Sequence, residues 1–272
     1  SAQNKGAGYS RNLGAEKANG EILLFIDSDI VIKSDALQLV ARTFDQNEIN
    51  VIQGIYSHEP NYNSIATQFQ QSFYCYYTWN KKIKYVETLT SACFGIKKKV
   101  FMNLKGFNSN IKNATSEDEE FGYKLIDGGN KILIIRELSV VHLVNYSLAK
   151  FVKRCFVINF ATMKSFLRNR SFIKKKVTQN NYKSVLAGIF IIGLIIITLF
   201  LTLLYKSSNA LIIFLLLNFV FLFLNINFFN FVYSSKGIIK ALGVLFTCYL
   251  NSFLMLLSIS CACLSYFFGK KY

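Results

Sequence analysis

Residues 20–29 read GEILLFIDSD, and this stretch decides the fold. Its five apolar residues, Ile22 to Ile26, run without a polar break. Such a run is typical of a strand buried on both faces of a parallel sheet in an α/β domain. Asp27 and Asp29 follow where the strand ends. Ligands of open α/β sheets collect beyond the carboxyl ends of strands, so both carboxylates are candidate site residues.

The residues themselves leave two interpretations of Asp27 and Asp29. A turn with one residue between them can aim both carboxylates at one hard cation, and oxygen ligands suit Mg²⁺ or Mn²⁺. Because Mg²⁺ is commonly shared between carboxylates and substrate phosphates, this favours a nucleotide or another phosphate-bearing substrate. Alternatively, Asp-Ser-Asp is a polar turn that caps the next helix, since Asp and Ser favour both positions.

Charge and hydropathy divide the chain into two halves. All 15 acidic residues lie at or before Glu137, where 16 Lys and Arg nearly balance them. The remaining 135 residues hold 15 Lys and Arg and no acid, so the net charge of +16 belongs almost entirely to the second half. The positive charge is therefore no sign of a basic globular domain.

The second half also contains three long uncharged runs. Ser184 to Tyr205 comprises 22 residues, enough at about 1.5 Å per residue to cross a hydrocarbon core of roughly 30 Å. The runs Ser207–Ser235 and Ala241–Gly269 also exceed the ~20 residues that a span needs. The sequence predicts a transmembrane region over residues 184–272, with about three helices.

Ten basic residues fall between Lys150 and Lys183, just before the first predicted span. Lys and Arg beside a span mark its cytoplasmic side and attract anionic headgroups. No nucleic acid partner is predicted, because this basic run adjoins the membrane. Residues 146–183 are expected to form either an amphipathic interfacial helix at the inner leaflet or an ordinary linker.

The first 21 residues hold too little sequence for the opening strands of an α/β domain. The chain opens on a polar loop, and few strands precede Ile22. We expect that the chain lacks the N-terminal part of its α/β domain and is inactive by itself.

A second acidic cluster reads Glu117-Asp118-Glu119-Glu120. Ser116 and Glu119 have the spacing of a capping box, and acids suit the positive end of a helix. Capping does not explain four consecutive acids. Asp118, in the first helical turn, can protrude into a cleft and accept a proton at neutral pH.

Further candidates each have two interpretations. Arg11 either pairs with a diphosphate or is a solvated helix residue. His142 is either a structural histidine or the third ligand of a metal held by two carboxylates. Ser91, Ala92 and Gly95 are small, which lets a substrate approach the backbone or lets a neighbouring element pack closely.

Taken in order, these motifs resemble those of the family-2 glycosyltransferases, which have the GT-A fold and use nucleotide sugars. The similar segments are residues 4–14 (NKGAGYSRNLG), 20–29 (GEILLFIDSD), 90–95 (TSACFG), 106–108 (GFN) and 117–128 (EDEEFGYKLIDG), followed by His142. The resemblance implies an incomplete GT-A (Rossmann-like) nucleotide-sugar domain over residues 1–145.

The resemblance also implies roles for individual residues. Asp27 and Asp29 would hold Mg²⁺ or Mn²⁺ on the donor diphosphate, with His142 as a third metal ligand. Arg11 would touch the same diphosphate. Asp118 would be the catalytic base, and Glu117 would orient the site or the acceptor. Ser91, Ala92 and Gly95 would lie on the acceptor side.

The function implied is inverting transfer of a sugar from a nucleotide sugar to a lipid-linked or cell-envelope polysaccharide acceptor. It predicts a multi-pass protein of the bacterial cytoplasmic membrane, with its catalytic domain in the cytoplasm. The Gln-x-x-Arg-Trp signature of processive synthases is missing, and Phe151–Phe156 stands in that region, which favours a single transfer. The alternative is a membrane-anchored accessory protein with a catalytically silent transferase-like domain.

Overall fold

The computed structural model describes residues 5–57, 64–78, 84–86, 88–111, 116–168 and 180–269. In chain order its elements are α1 (Ala7–Lys17), β1 (Ile22–Ile26), β2 (Ile30–Val31), α2 (Ala36–Gln46), β3 (Val51–Tyr56), α3 (Ile65–Thr78), β4 (Tyr85–Val86), β5 (Cys93–Lys97), α4 (Lys98–Asn103), α5 (Glu117–Asp127), β6 (Ile132–His142), α6 (Leu148–Arg168), α7 (Asn180–Tyr205), α8 (Ser208–Lys236) and α9 (Ile238–Phe267).

The strands form one mixed sheet with the order β1-β5-β3-β6-β2, and β4 also pairs with β6. The predicted strand over Ile22–Ile26 is confirmed, but its predicted parallel pairing is wrong. It pairs antiparallel with β5, with Ile26 opposite Cys93, at one end of the described sheet. Within this strand only Leu23 is fully buried, and Ile26 is exposed. Strand β3 is the one that pairs parallel, with β6.

Apolar side chains pack on both faces of this sheet. On one face, Phe94, Phe101, Phe107 and Phe121 form a buried aromatic group with Phe25. On the other face, α2 contributes residues such as Val40 and Phe44. Buried aromatic pairs of this kind stabilise a core beyond their area alone. The first group anchors α5, the helix that carries the acidic cluster.

Three helices are long and apolar enough to cross a membrane: Val185–Tyr205, Ser208–Lys236 and Ile238–Phe267. They share a buried apolar cluster with Ala66 and Phe69 of α3 and with Phe151 of α6. Helix α3 lies so close to α9 that a Cβ on Gly243 would be 3.1 Å from Ile65. The α/β part and the apolar helices are therefore packed against each other through α3 and α6.

Helix α6 accounts for Leu148–Arg168 of the region expected to be an interfacial helix or a linker. It packs along α9, where the Tyr266 hydroxyl donates a hydrogen bond of 3.3 Å to the Leu167 carbonyl oxygen. Residues 169–179, including the basic run at 174–176, lie outside the described residues. This part of the chain is thus a packed helix between the α/β domain and the apolar helices.

Gly54 provides a test of the sheet packing. A Cβ there would lie 2.5 Å from the backbone oxygen of Leu138, at the irregularity between β3 and β6. We expect Gly54→Ala to destabilise the protein by about 1–3 kcal/mol, because backbone cannot move aside as a side chain can. Gly14→Ala, in open space on α1, is the matched control and should be neutral or stabilising by up to about 1 kcal/mol.

Thermal unfolding of the two purified variants and the wild type in the same detergent measures this difference. Equal midpoints for the two variants would contradict the close approach of β6 to Gly54.

Candidate functional site

Most of the candidate residues lie at one edge of the sheet, where the carboxyl ends of β1 and β6 meet. Strand β1 ends at this edge before Asp27, and β6 ends there with His142. Because β5 runs antiparallel to β1, its start brings Ser91 and Ala92 to the same edge. The Asp27 amide donates a hydrogen bond of 3.0 Å to the Ala92 carbonyl oxygen. Segments distant in sequence therefore form one site.

Arg11 joins two of these segments through its guanidinium group. One nitrogen lies 2.6 Å from Asp27 Oδ1 and the other 2.9 Å from Glu117 Oε1. The Arg11 and Glu117 side chains are only 16% and 5% exposed. Burial by itself would lower the pKa of Arg11, but pairing with Asp27 and Glu117 outweighs burial and raises it. The alternative of a solvated Arg11 is therefore wrong.

Helix α1 brings Arg11 to Asp27 and Glu117 because the segment around Phe107 packs closely against α1. A Cβ on Gly8 would lie 3.1 Å from Phe107 Cβ, so glycine permits the contact. The Asn12 side chain then binds the Phe107 backbone twice, donating to its oxygen at 2.9 Å and accepting from its amide at 2.9 Å. These contacts fix α1, and hence Arg11, against α5.

Asp29 lies on the other side of the turn after β1. The turn is closed by the Ile30 amide, which donates to the Asp27 carbonyl oxygen at 3.2 Å, and β2 then pairs with the end of β6. This pairing brings Asp29 Oδ2 within 3.2 Å of His142 Nε2. The Asp29 carboxylate is 48% exposed, so it keeps lone pairs directed to solvent.

The described residues contain no group of three His, Cys, Asp or Glu side chains that could hold a metal ion by itself. Asp27 is engaged by Arg11 and Asp29 by His142, so the expected set of Asp27, Asp29 and His142 is not a ready-made three-ligand site. The donors still fit a hard cation that takes its remaining oxygen ligands from a bound diphosphate and water.

Asp118 lies in the first turn of α5, directed towards the start of β5. Its Oδ2 accepts hydrogen bonds from the backbone amide of Ser91 at 3.2 Å and from the Ser91 hydroxyl at 3.3 Å. Burial and the neighbouring Glu117 charge raise the pKa of Asp118 to about 6, despite the opposing effect of hydrogen bonds from the backbone amides of Ser91 and Glu119. At neutral pH it is mostly ionised and can accept a proton.

Glu119 does not have the helix-capping role that the sequence predicted. The predicted capping box does not form, because the Ser116 side chain makes no capping hydrogen bond. Glu119 Oε2 is buried without a hydrogen-bond partner among the described residues. Burial and the nearby Asp118 charge raise the pKa of Glu119 to about 8. It therefore keeps a proton at pH values where Asp118 has lost one.

The small residues before and within β5 have different surroundings. Ser91 and Ala92 are buried beside the carboxylates, as described above. Gly95 instead faces the core, where a Cβ would lie 3.0 Å from Ile52 and 3.1 Å from Phe44. For Gly95 the structure favours close packing over an approach to substrate.

Sequence reasoning missed Tyr56, whose ring stacks on His142 with centroids 5.4 Å apart. It also packs against Tyr74 of α3 at 5.4 Å. Burial raises the pKa of Tyr56 well above its ordinary value, so its hydroxyl stays protonated. Its position at the end of β3 is the signal that could have identified it, since β3 and β6 are parallel and end at the same edge.

Comparison with known proteins finds one family model that matches the first part of the chain. Residues 1–105 match the family model described as glycosyl transferase family 2. This match includes Arg11, Asp27, Asp29 and Ser91, and it ends before Asp118. No curated protein sequence matches the chain.

Several solved structures of S. aureus TarS are similar. One TarS structure has a TM-score of 0.40 and 16% identity, covering 61% of this chain and 31% of that one. TarS 1–349 has a TM-score of 0.40 and 15% identity, covering 99% and 73%. The same segment in complex with UDP-GlcNAc has a TM-score of 0.39 and 14% identity, covering 98% and 74%. Likenesses of this size do not identify a substrate.

The match over residues 1–105 supports the predicted family resemblance for that part of the chain, and the mixed sheet confirms the predicted α/β fold class. The long apolar helices that follow confirm the predicted helical C-terminal region.

The proton held by Glu119 predicts a pH-dependent stability. A carboxyl whose pKa rises from 4.5 to about 8 on folding contributes stability that is complete below about pH 4.5 and is lost as the pH rises through about 8. Glu119→Gln imitates the protonated form. We expect it to raise the unfolding midpoint relative to wild type at about pH 8.5 and to leave it nearly unchanged at about pH 4.5.

Glu16→Gln, on the exposed face of α1, is the matched control and should be neutral at both values. A Glu119→Gln effect of the same size at both pH values would contradict the burial of the proton.

Proposed function

We propose that the protein transfers a sugar, with inversion, from a nucleotide-sugar donor to a lipid-linked or cell-envelope polysaccharide acceptor, as the match of residues 1–105 to the model of glycosyl transferase family 2 suggests. One observation carries the proposal. The carboxylates after β1 and those starting α5 meet at one sheet edge, joined by Arg11 and separated by Ser91 and Ala92.

The donor diphosphate would lie over the turn after β1. Asp27 and Asp29 would hold Mg²⁺ or Mn²⁺ there, with His142 keeping the Asp29 carboxylate oriented from 3.2 Å. When bound, such a cation offsets the charge that develops on the leaving diphosphate. Arg11, already turned towards Asp27, supplies a guanidinium that can also donate to a phosphate oxygen.

The acceptor hydroxyl would be activated by Asp118. Its ionised carboxylate takes the hydroxyl proton while the acceptor oxygen bonds to the anomeric carbon from the side opposite the diphosphate. The bond between the anomeric carbon and the diphosphate oxygen breaks, and the nucleoside diphosphate leaves with the electron pair. A base with a pKa of about 6 suits this step near neutral pH.

The environment of the site supports a membrane-associated acceptor. Helices α3 and α6 share an apolar cluster with three helices long enough to cross a membrane. The positive charge without acid in the second half favours an anionic membrane face, and the positive-inside tendency favours the cytoplasmic one. The acceptor would then reach Asp118 from the bilayer side. In this proposal the catalytic domain ends near residue 145 and the transmembrane region begins after residue 183.

Transfer by the full-length protein tests the proposal. Membranes that contain the full-length protein would be incubated with labelled nucleotide sugars and Mn²⁺ or Mg²⁺. The incorporation of labelled sugar into the lipid and glycan fractions would then be measured. We expect Asp118→Asn to reduce transfer at least about 100-fold with donor binding retained, because the substitution removes the base and keeps the shape. Asp127→Asn, exposed at the end of the same helix, is the matched control and should retain activity.

Two results would contradict the proposal. Transfer by Asp118→Asn at the wild-type rate would remove Asp118 from the mechanism. Absence of transfer from every donor, with equal donor binding by wild type and Asp118→Asn, would indicate the silent accessory protein instead.

A further inference from the structure

Helix α6 is tied to the acidic helix α5 by a buried ion pair. An Arg168 guanidinium nitrogen lies 2.8 Å from Glu120 Oε2, and the two side chains are 13% and 9% exposed. The other oxygen of Glu120 accepts a short hydrogen bond from the Asn108 side chain. Glu120 is two residues from Asp118, in the same first turn of α5.

The same end of α6 is tied to the apolar helices. The carbonyl oxygen of Leu167, next to Arg168, accepts the hydrogen bond from Tyr266 near the end of α9. At the other end of α6, Phe151 is buried in the cluster that α6 shares with α3, α7, α8 and α9. Helix α6 therefore contacts α5, which carries the proposed base Asp118, and also contacts α9, a candidate membrane span.

We propose that Arg168 is a positioning residue, whose ion pair with Glu120 holds α5, and with it Asp118, in register with the membrane-packed helix α6. The inference rests on the proposed function, because it assigns Arg168 a part in presenting the base to the acceptor. The apolar helices then have a second role besides anchoring. Because α9 contacts α6 and α6 contacts α5, the position of α9 influences the position of Asp118.

The burial of the pair makes α5 sensitive to its loss. Removing one partner of a buried pair takes away the opposite charge of the other, which is far more disruptive than breaking an exposed pair. Glu120 can relieve this by turning towards solvent, and such a turn displaces the first turn of α5. A displacement of about 1 Å at a catalytic group can reduce a rate about 100-fold.

The test uses full-length protein in lipid nanodiscs and compares Arg168→Gln, Glu120→Gln, the double variant and Lys153→Gln. Lys153 is exposed on α6 and serves as the matched control. We expect each single variant of the pair to reduce kcat about 10- to 100-fold with the donor KM within about twofold. The double variant should recover part of the loss, because two amides leave no unpaired buried charge.

Amide hydrogen exchange over α5 supplies a second readout that needs no activity. The proposal expects faster exchange across Glu117–Asp127 in Arg168→Gln and unchanged exchange in Lys153→Gln. A kcat of Arg168→Gln equal to that of Lys153→Gln would overturn it, as would a double variant that loses the product of the two single effects.

This design separates the two ideas. If wild-type protein transfers no sugar, the proposed function fails, and the exchange measurement alone decides the inference. Unchanged exchange across α5 in Arg168→Gln would then overturn it.

Discussion

The bridge from Arg11 to Asp27 and Glu117 is the interaction on which the site depends. Asp27 follows β1 and Glu117 begins α5, and without a cation between them the two carboxylates would repel each other. The bridge can form because Gly8 allows α1 to approach Phe107 and because Asn12 fixes that contact. In the core, Phe94 of β5 and Phe121 of α5 both pack against Phe107, so the sheet and the helix share one aromatic cluster.

Next to the two carboxylates that Arg11 pairs, the adjacent carboxyl groups differ in protonation. Asp118 has a pKa of about 6 and Glu119 a pKa of about 8, both raised chiefly by burial. Between these values one carboxyl is ionised and its neighbour is neutral, so two like charges do not compete in one turn of helix. Separating pKa values by environment is a general way for a site to assign proton-accepting and proton-holding roles.

Local patterns in the sequence predicted elements better than they predicted pairing. The run Ile22–Ile26 is a strand as its composition indicates, but its antiparallel partner β5 lies about 70 residues later, and no local pattern encodes that register. The site residues were identified because they follow strands or begin a helix. Glu119 was misassigned because a capping box and a buried acid have the same spacing, and only burial in the folded protein distinguishes them.

Helix α6 shows the same limit on a larger scale. Its basic and apolar residues fit an interfacial helix, a linker or a packed helix, and the choice depends on contacts with α9 and α5. Arg168 carried no signal in the sequence, because its partner Glu120 is 48 residues away and looked like one of four helix-starting acids. Long-range ion pairs are set by tertiary structure and cannot be inferred from spacing.

The stereochemistry of the product tests the central claim most directly. NMR of the first glycoside formed by full-length protein from an α-linked nucleotide sugar would give its anomeric configuration. Attack by an acceptor activated by Asp118, from the side opposite the diphosphate, predicts a β-linked product. An α-linked product would contradict a single displacement and with it the role assigned to the carboxylates of α5.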